Sequence, residues 1–363
     1  MIKPLTSLRF FFAFIIFTHH LTFLSKSKAS YLRWIHEYIL KEGFIGVSFF
    51  FILSGFILAY NYRDSILDRN ISKSDFYIAR IARIYPVHLL CLLIAVPITL
   101  QNVSFDLSTW FAQLFFNLTL TQSFIPIKYI YFSFNSPSWS ISNELFFYLL
   151  FPFLIIWSSK IKEHKYKKAF LTMLVLLIPI LMVIIPAEYY KSLFYVNPFF
   201  RVFDFIIGIM LFEFYLRIKK KQRTINYNLL EISSVTILIL FFVFHTSVPL
   251  VMRYSVYYWI PMSLIILIFS FQNGAISRFL SNKSLILLGE ISFGFYMFHQ
   301  LVLKYFINFN KLYFHIKNEY VIILIMFALS LIISYVSFIW FEKPLNKYFK
   351  IILKRKADSP KSV

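Results

Sequence analysis

A cation and a histidine share one stripe of the first apolar segment of the chain. Residues 5–24 read LTSLRFFFAFIIFTHHLTFL, with Arg9 and His20 eleven positions apart. In an α-helix that spacing places the two side chains within about 20° of one direction and about 16 Å apart along the axis. Because ionisable groups are costly inside a bilayer, we expect the pair to be functional. The alternative is that Arg9 snorkels to the headgroups and His19 and His20 cap the far end of the helix.

A second basic feature precedes the third apolar segment, in the sequence FYIARIARIYP. Arg80 and Arg83 are three residues apart and so share one helical face. Two planar guanidinium forks at a membrane edge suit a phosphate-bearing ligand, whereas the alternative is anchoring on lipid phosphates. We expect Ser74 or Asp75 to cap this helical piece and Pro86 to end it before the membrane span.

An isolated carboxylate opens the fourth apolar segment after the sequence SPSWSISN. Ser136 and Pro137 predict a helix start, which would place Glu144 in an early turn, where the helix dipole stabilises negative charge. The alternative is that Glu144 orients a histidine or a substrate hydroxyl. Ser142 and Asn143 are candidate hydrogen-bond donors to an oxyanion.

Two later segments also carry polar residues. Arg201 and Asp204 are three apart at the start of the sixth segment, and a local ion pair that makes their burial tolerable is the favoured interpretation. His299 lies in the ninth segment, in the sequence GFYMFHQ. Its expected role is that of a packed histidine with Tyr296 or Gln300 as hydrogen-bond partner.

Composition predicts an all-α polytopic integral membrane protein. The chain has 363 residues, 59% of them hydrophobic, and a mean hydropathy of +0.70. Several apolar runs are long enough to cross a bilayer, and no hydrophilic block is long enough to fold as a soluble domain. We count ten spans in one bundle: 5–24, 44–60, 84–101, 144–158, 170–186, 199–216, 230–246, 256–271, 285–307 and 319–341. The stretch 110–124 is expected to be interfacial or re-entrant.

The distribution of charge predicts the orientation of the bundle. The net charge is +21, and a large majority of the Lys and Arg residues fall in alternate loops if both termini are cytoplasmic. This positive-inside pattern explains the charge by topology and anionic lipids, so a nucleic-acid partner is not expected. We expect one membrane domain over 1–347 and a short basic cytoplasmic tail over 348–363. Cys91 is the only cysteine, so neither an intrachain disulfide nor a cysteine-built metal site is predicted.

Six segments, taken in order, resemble the membrane-bound acyltransferase-3 family, the O-acyltransferases of surface polysaccharides. The similarity covers about residues 5–347, with Asn143 where a small apolar residue is common in the family and Phe293 where tyrosine is. The segments are LTSLRFFFAFIIFTHH, GFIGVSFFFILSGFIL, FYIARIARIYPVHLL, SPSWSISNELFFYLLFP, LGEISFGFYMFHQ and FIWFEKPLNK.

The resemblance implies a ten-helix enzyme of the cytoplasmic (inner) membrane. Its donor would be acyl-coenzyme A, most commonly acetyl-coenzyme A, with no permanently bound cofactor and no metal. Its acceptor would be a glycan or a lipid-linked glycan. By the same resemblance, His20 is catalytic with Arg9 as its companion, Arg80 and Arg83 bind the donor, and Glu144 and His299 also belong to the site.

Two questions stay open at this point. His20 can act as a general base or become acylated as a covalent relay. A glycan transporter or flippase without chemistry would also have many spans and buried charges, and a signalling protein could reuse the fold. Release of free thiol from acyl-coenzyme A separates an enzyme from a transporter.

Overall fold

The structure is a computed structural model, and it describes residues 1–101, 106–161, 164–220 and 225–349. Within these ranges the chain is helical and contains no β-strand. The α-helices are α1 (Lys3–His19), α2 (Ser30–Tyr38), α3 (Gly46–Leu67), α4 (Lys73–Gln101), α5 (Leu107–Leu118), α6 (Lys128–Tyr131), α7 (Ser138–Lys160), α8 (His164–Ile184), α9 (Pro198–Lys220), α10 (Tyr227–Val243), α11 (Leu250–Arg253), α12 (Val256–Ser270), α13 (Ala275–Leu280), α14 (Lys283–Phe309) and α15 (Glu319–Ser337).

Short 3₁₀ and π-helical segments join several of these helices. The 3₁₀ segments are Thr22–Lys26, Leu40–Ile45, Gln122–Phe124, Ala187–Tyr189 and His245–Ser247. The π-helical segments are Lys191–Val196, Asn310–Phe314 and Phe338–Glu342.

Each of the ten predicted segments coincides with one of the longer α-helices. In the described part of the chain, seven helical stretches are long and apolar enough to cross a membrane, and they contain α1, α3, α4, α7, α12, α14 and α15. Helix α10 is apolar but has only 17 residues. The all-helical, multi-pass class is therefore confirmed, whereas the count of ten spans and the side of each terminus are not. The predicted tail lies outside the described residues from 350 onward.

The segment expected to be interfacial or re-entrant forms α5 and the 3₁₀ turn Gln122–Phe124. Helix α5 has 12 residues, fewer than the roughly 20 that cross a bilayer. Its N-cap is Asp106, whose carboxylate accepts hydrogen bonds from Thr109 and Ser108, and these bonds lower the pKa of Asp106 to about 2. The 3₁₀ turn is buried because the amide of Gln122 donates to the Ser138 carbonyl at the start of α7, at 3.0 Å.

Helix α4 differs from the sequence-based expectation at both features predicted for it. Its cap is Ser72, whose hydroxyl accepts from the Asp75 backbone N–H at 3.0 Å and donates to the Asp75 carboxylate at 2.6 Å. Pro86 does not end the helix, which runs on to Gln101 through both Pro86 and Pro97. Transmembrane helices tolerate such prolines because the neighbouring structure satisfies the freed backbone groups.

Close helix contacts hold the centre of the bundle together. Helix α1 packs along α14 and beside α3, and α3 packs along α9. Gly55 and Gly208 make the α3–α9 approach possible, because a Cβ on Gly208 would overlap the Ile52 carbonyl oxygen and one on Gly55 would overlap that of Phe205. Small residues commonly allow transmembrane helices to pack closely, and here they allow α3 to pack against α9.

Candidate active site

A cavity of about 520 Å³ lies among α1, α3, α4, α7 and α14. Its wall reaches Met1 and Asn61, so it lies toward the end of the bundle that carries the N-terminus. The size is typical of small-ligand sites, which span about 300–1,000 Å³. Its charged lining residues are Arg9, Arg80, Arg83, Glu144 and Glu290. Three cations from two helices therefore converge on one cavity.

Arg9 is half-buried on the cavity side of α1. Among the described residues its guanidinium makes no hydrogen bond and no ion pair. A guanidinium carries five N–H donors, so this group can bind an anion without first giving up a protein partner. The side chain lines the cavity.

Arg80 and Arg83 line the same cavity from α4, on one helical face as their spacing predicts. Arg80 Nη2 donates to the Tyr62 hydroxyl at 2.7 Å, and its guanidinium lies 4.9 Å from the centre of the Tyr62 ring. Arg83 Nη1 lies 3.6 Å from Oε2 of Glu342. Each guanidinium group thus has a neighbour that restrains it, and both residues line the cavity.

Glu144 also lines the cavity, but it does not lie in the early helical turn that the sequence predicted. Helix α7 starts at Ser138, so Glu144 is its seventh residue. The helix dipole stabilises negative charge mainly in the first turn, and Glu144 lies beyond it. The carboxylate accepts from the Tyr148 hydroxyl at 2.5 Å and from Ser54 at 3.4 Å. No histidine is hydrogen-bonded to Glu144 in the described part of the chain.

His20 terminates α1 and meets His299 of α14. His20 Nδ1 lies 2.9 Å from the Ile16 carbonyl oxygen and 3.0 Å from Nε2 of His299. His299 is fully buried, and its Nδ1 lies 2.6 Å from the Tyr296 carbonyl oxygen. The expected partner, Tyr296, is therefore present through its backbone, while the contact between the two imidazoles was not predicted.

His19 points elsewhere, because neighbouring residues on a helix face different directions. Its Nδ1 lies 2.7 Å from the Lys41 carbonyl oxygen, and its ring packs edge-on against Phe44. His19 therefore fastens the segment Leu40–Ile45 to the end of α1. Of the two, His20 is the one hydrogen-bonded to α14 within the described residues.

The inner end of the cavity and the histidine pair are separated by aromatic side chains. Tyr296, Ser140 and Phe50 line the cavity, whereas His20 does not. The Tyr296 hydroxyl is hydrogen-bonded to Ser140 Oγ at 2.7 Å, and its ring lies 6.1 Å from that of Phe50. Tyr296 is three residues before His299, about one helical turn. The cavity thus ends one turn of α14 away from the imidazoles.

Two other predicted candidates are engaged in packing. Ser142 donates to the Leu120 carbonyl oxygen at 2.5 Å, and the amide of Asn143 donates to the Val196 carbonyl oxygen at 2.9 Å. Both side chains are buried, and neither lines the cavity. Their donors connect α7 to the neighbouring segments.

Arg201 and Asp204 form the expected local ion pair, with Nη2 of the arginine 2.7 Å from Oδ2 of the carboxylate and both side chains fully buried. Arg201 also donates to Ser48 at 2.9 Å, and the indole N–H of Trp259 donates to Asp204. The pair links α9 to α3 and α12, and neither residue lines the cavity.

Tyr148 and Glu342 are site residues that sequence reasoning missed. Glu342 is 3% exposed, and its carboxylate oxygens accept no hydrogen bond within the described ranges. Its ion-pair partner is Arg83, whose Nη1 lies 3.6 Å from Oε2 of Glu342. The signal was present in the final segment FIWFEKPLNK, where one acid follows a long apolar run. Its partner lies on a distant helix and could not be chosen from the sequence.

Sequence comparison with known families agrees with this arrangement. The model of the acyltransferase-3 family, described as an acyltransferase domain, matches residues 4–339, which is nearly the whole chain. The chain belongs to the acyltransferase-3 family. The resemblance carried by the six ordered segments is thereby confirmed. No solved structure matches this member of the family.

Several curated proteins are similar to this family member. Acyltransferase MdmB of Streptomyces mycarofaciens is 38% identical over 154 residues, which are 42% of this chain and 38% of that protein. A Staphylococcus aureus protein named "Putative O-acetyltransferase" is 23% identical over 85% of this chain and 53% of its own length. A Bacillus subtilis protein named "Putative peptidoglycan O-acetyltransferase YrhL" is 31% identical over 58% of this chain and 33% of its own length. The chain spans about half or less of the length of these relatives.

Proposed function

We propose that this chain is a membrane O-acyltransferase that moves an acyl group, most simply acetyl, from acyl-coenzyme A to a hydroxyl of a glycan or lipid-linked glycan. The observation that carries the proposal is the cavity lined by three arginines, one of which has no protein partner in the described structure. The names of the similar proteins, which include an acyltransferase and O-acetyltransferases, support the acyl group and the glycan acceptor.

We also propose the arrangement in the membrane. Ten spans with both termini in the cytoplasm of the cell, across its inner membrane, satisfy the bias of Lys and Arg between alternate loops. In this orientation the arginine cavity faces the cytoplasm, where acyl-coenzyme A is found. His20, at the other end of α1, then faces the outer half of the bilayer, where a surface glycan would be met.

In this mechanism the coenzyme's phosphates bind Arg80 and Arg83, whose planar forks match phosphate oxygens, and Arg9 binds a further anionic oxygen. The pantetheine arm extends along α1 toward His20, and the Tyr296 and Phe50 side chains, which separate the cavity from the histidines, move aside to admit it. An ideal helix separates Arg9 and His20 by about 16 Å, so Arg9 acts on the donor and not on the reacting carbonyl.

The chemistry proposed at His20 is general-base catalysis. The neutral imidazole takes the proton of the acceptor hydroxyl as its oxygen bonds to the thioester carbonyl carbon. The carbon–sulfur bond then breaks, and the imidazolium returns the proton to the leaving sulfur as free thiol. Help of this kind contributes about 10²–10⁴-fold to the rate.

Release of thiol tests this function. The purified protein in detergent would be incubated with acetyl-coenzyme A and a glycan extract of the cells that encode it, and free coenzyme A would be followed with a thiol reagent. We expect glycan-dependent thiol release that falls about 10²–10⁴-fold in His20→Ala. The matched control His19→Ala, on the adjacent residue, should lose far less. Full activity in His20→Ala would remove the catalytic assignment, and absence of thiol release by the native protein would favour a transporter.

A further inference from the structure

The buried histidine of α14, His299, lies against the proposed catalytic base, His20. The hydrogen bond between His299 and His20 joins two ring nitrogens, Nε2 of His299 and Nδ1 of His20, at 3.0 Å. Each ring also has a nitrogen close to a backbone carbonyl oxygen: His20 Nδ1 is 2.9 Å from Ile16, and His299 Nδ1 is 2.6 Å from Tyr296. These three contacts together restrict where the protons can be.

A carbonyl oxygen only accepts hydrogen bonds, so the nitrogen that faces it must carry a proton. His299 Nδ1 is therefore protonated, and in the neutral ring Nε2 is an acceptor. His20 Nδ1 is protonated for the same reason, and it donates to Ile16 and to His299 Nε2. The opposite tautomers would place lone pairs against carbonyl oxygens at both ends of the pair.

The remaining nitrogen of His20 is the one that a reaction needs. Nε2 of His20 has no hydrogen-bond partner among the described residues, and it is not an enclosed atom. With the proton on Nδ1, its lone pair is free to take a proton from a hydroxyl. The Ile16 carbonyl oxygen and the acceptor nitrogen of His299 thus together favour the tautomer of His20 that can act as a base.

We infer that His299 is a positioning residue that fixes the orientation and the Nδ1–H tautomer of His20 and stabilises its imidazolium. The inference rests on the proposed function. Catalytic bases are commonly oriented by a third group in this way. When His20 gains a proton in the transition state, its bond to His299 becomes charge-assisted and stronger, so the contact favours the transition state over the ground state.

The surrounding packing holds His299 in place. Its side chain is fully buried, and its ring stacks near Phe295, with centroids 6.3 Å apart. Phe17 of α1 lies 5.7 Å from Phe295. At the other end of α14, a Cβ on Gly289 would overlap the Thr6 carbonyl oxygen, so α1 and α14 lie against each other along their length. The acceptor nitrogen therefore has little freedom to move away from His20.

Three variants separate positioning from packing. His299→Phe keeps an aromatic ring but has no acceptor, His299→Gln can place its amide oxygen near the position of Nε2, and His88→Gln alters another buried histidine that contacts Ser138 and Asn117. Thiol release from acetyl-coenzyme A with the glycan extract would give kcat and KM for each folded variant.

We expect His299→Phe to lower kcat about tenfold, the loss of about one hydrogen bond, because the Ile16 carbonyl still accepts from His20. KM for acetyl-coenzyme A should stay within about twofold because the arginine cavity is untouched. His299→Gln should recover most of kcat, and His88→Gln should match the native enzyme. Equal kcat in His299→Phe and the native enzyme would overturn the inference while leaving the proposed function intact.

A spectroscopic measurement tests the same claim without turnover. In protein labelled with ¹⁵N-histidine, His20 should show a protonated Nδ1 and an unprotonated Nε2. A scalar coupling should connect His20 Nδ1 with His299 Nε2 across the hydrogen bond, and it should vanish in His299→Phe. A protonated Nε2 with an unprotonated Nδ1 on His20 would refute the positioning role even if acyl transfer is demonstrated.

Discussion

Replacement of Arg9 by glutamine separates binding of the donor from stability of the fold. The Arg9 guanidinium has no hydrogen bond or ion pair within the described structure, so removing it breaks no protein contact. The like charge of Arg83 disfavours the Arg9 cation, whereas the carboxylates of Glu144 and Glu342 favour it, so the electrostatic effects of the change oppose one another. We therefore expect the thermal unfolding temperature of Arg9→Gln to stay close to that of the native protein.

The effect on donor binding should be large. A hydrogen bond to a charged group contributes about 1.5–3 kcal/mol, which corresponds to a weakening of about tenfold to 150-fold in Kd. Isothermal titration calorimetry with coenzyme A in detergent measures this without turnover. The loss should appear mainly in Kd, because no hydrogen bond or ion pair within the described structure depends on Arg9.

Arg201→Gln provides the opposite control. Arg201 is fully buried against Asp204, and breaking a buried pair costs about 3–5 kcal/mol of stability. Because the pair lies outside the cavity, any folded Arg201→Gln should bind coenzyme A normally. Unchanged coenzyme A affinity in a folded Arg9→Gln protein would refute the assignment of the cavity to the donor.

Two further sets of variants test the site and the bundle. Arg80→Gln combined with Arg83→Gln should weaken coenzyme A binding, as measured by calorimetry. Arg83→Gln alone should also lower the unfolding temperature, because it removes the cation nearest to the buried Glu342 carboxylate. Adding Glu342→Gln to Arg83→Gln should restore the unfolding temperature but not the affinity for coenzyme A. An unchanged affinity would make both arginines lipid anchors. Gly208→Ala should lower the free energy of unfolding by about 3 kcal/mol or more, since its Cβ would meet the Ile52 backbone. Gly294→Ala should lower it less in the same denaturation assay, because its Cβ would meet the end of the Glu342 side chain at 3.0 Å. Equal losses of stability would contradict the close α3–α9 contact.

The positions of the helices could be predicted from the sequence because the signal is local. Runs of about 20 apolar residues predict helices in a bilayer without knowledge of their neighbours, and each predicted segment is helical in the structure. The errors fall at ends and breaks. Pro86 was expected to end a helix that continues, and Glu144 was assigned to an early turn although α7 begins six residues before it.

The site was only partly predictable, for a different reason. The spacing of Arg80 and Arg83 requires them to share a face, and both do line the cavity. The contact of His20 with His299 joins residues 279 apart in the chain. Nothing periodic in the sequence connects those two positions, because the contact depends on how α1 packs along α14. The same holds for Arg83 and Glu342.

The proposed transfer is tested most directly by following the acyl carbon itself. The protein would be reconstituted in liposomes together with a lipid extract that contains the glycan acceptor, and acetyl-coenzyme A labelled with ¹³C at the carbonyl would be supplied. The account predicts that an ester carbonyl signal appears on the glycan with the native protein and is absent with His20→Ala. Labelled ester formed equally by His20→Ala, or label that stays on coenzyme A in the presence of native protein and acceptor, would contradict it.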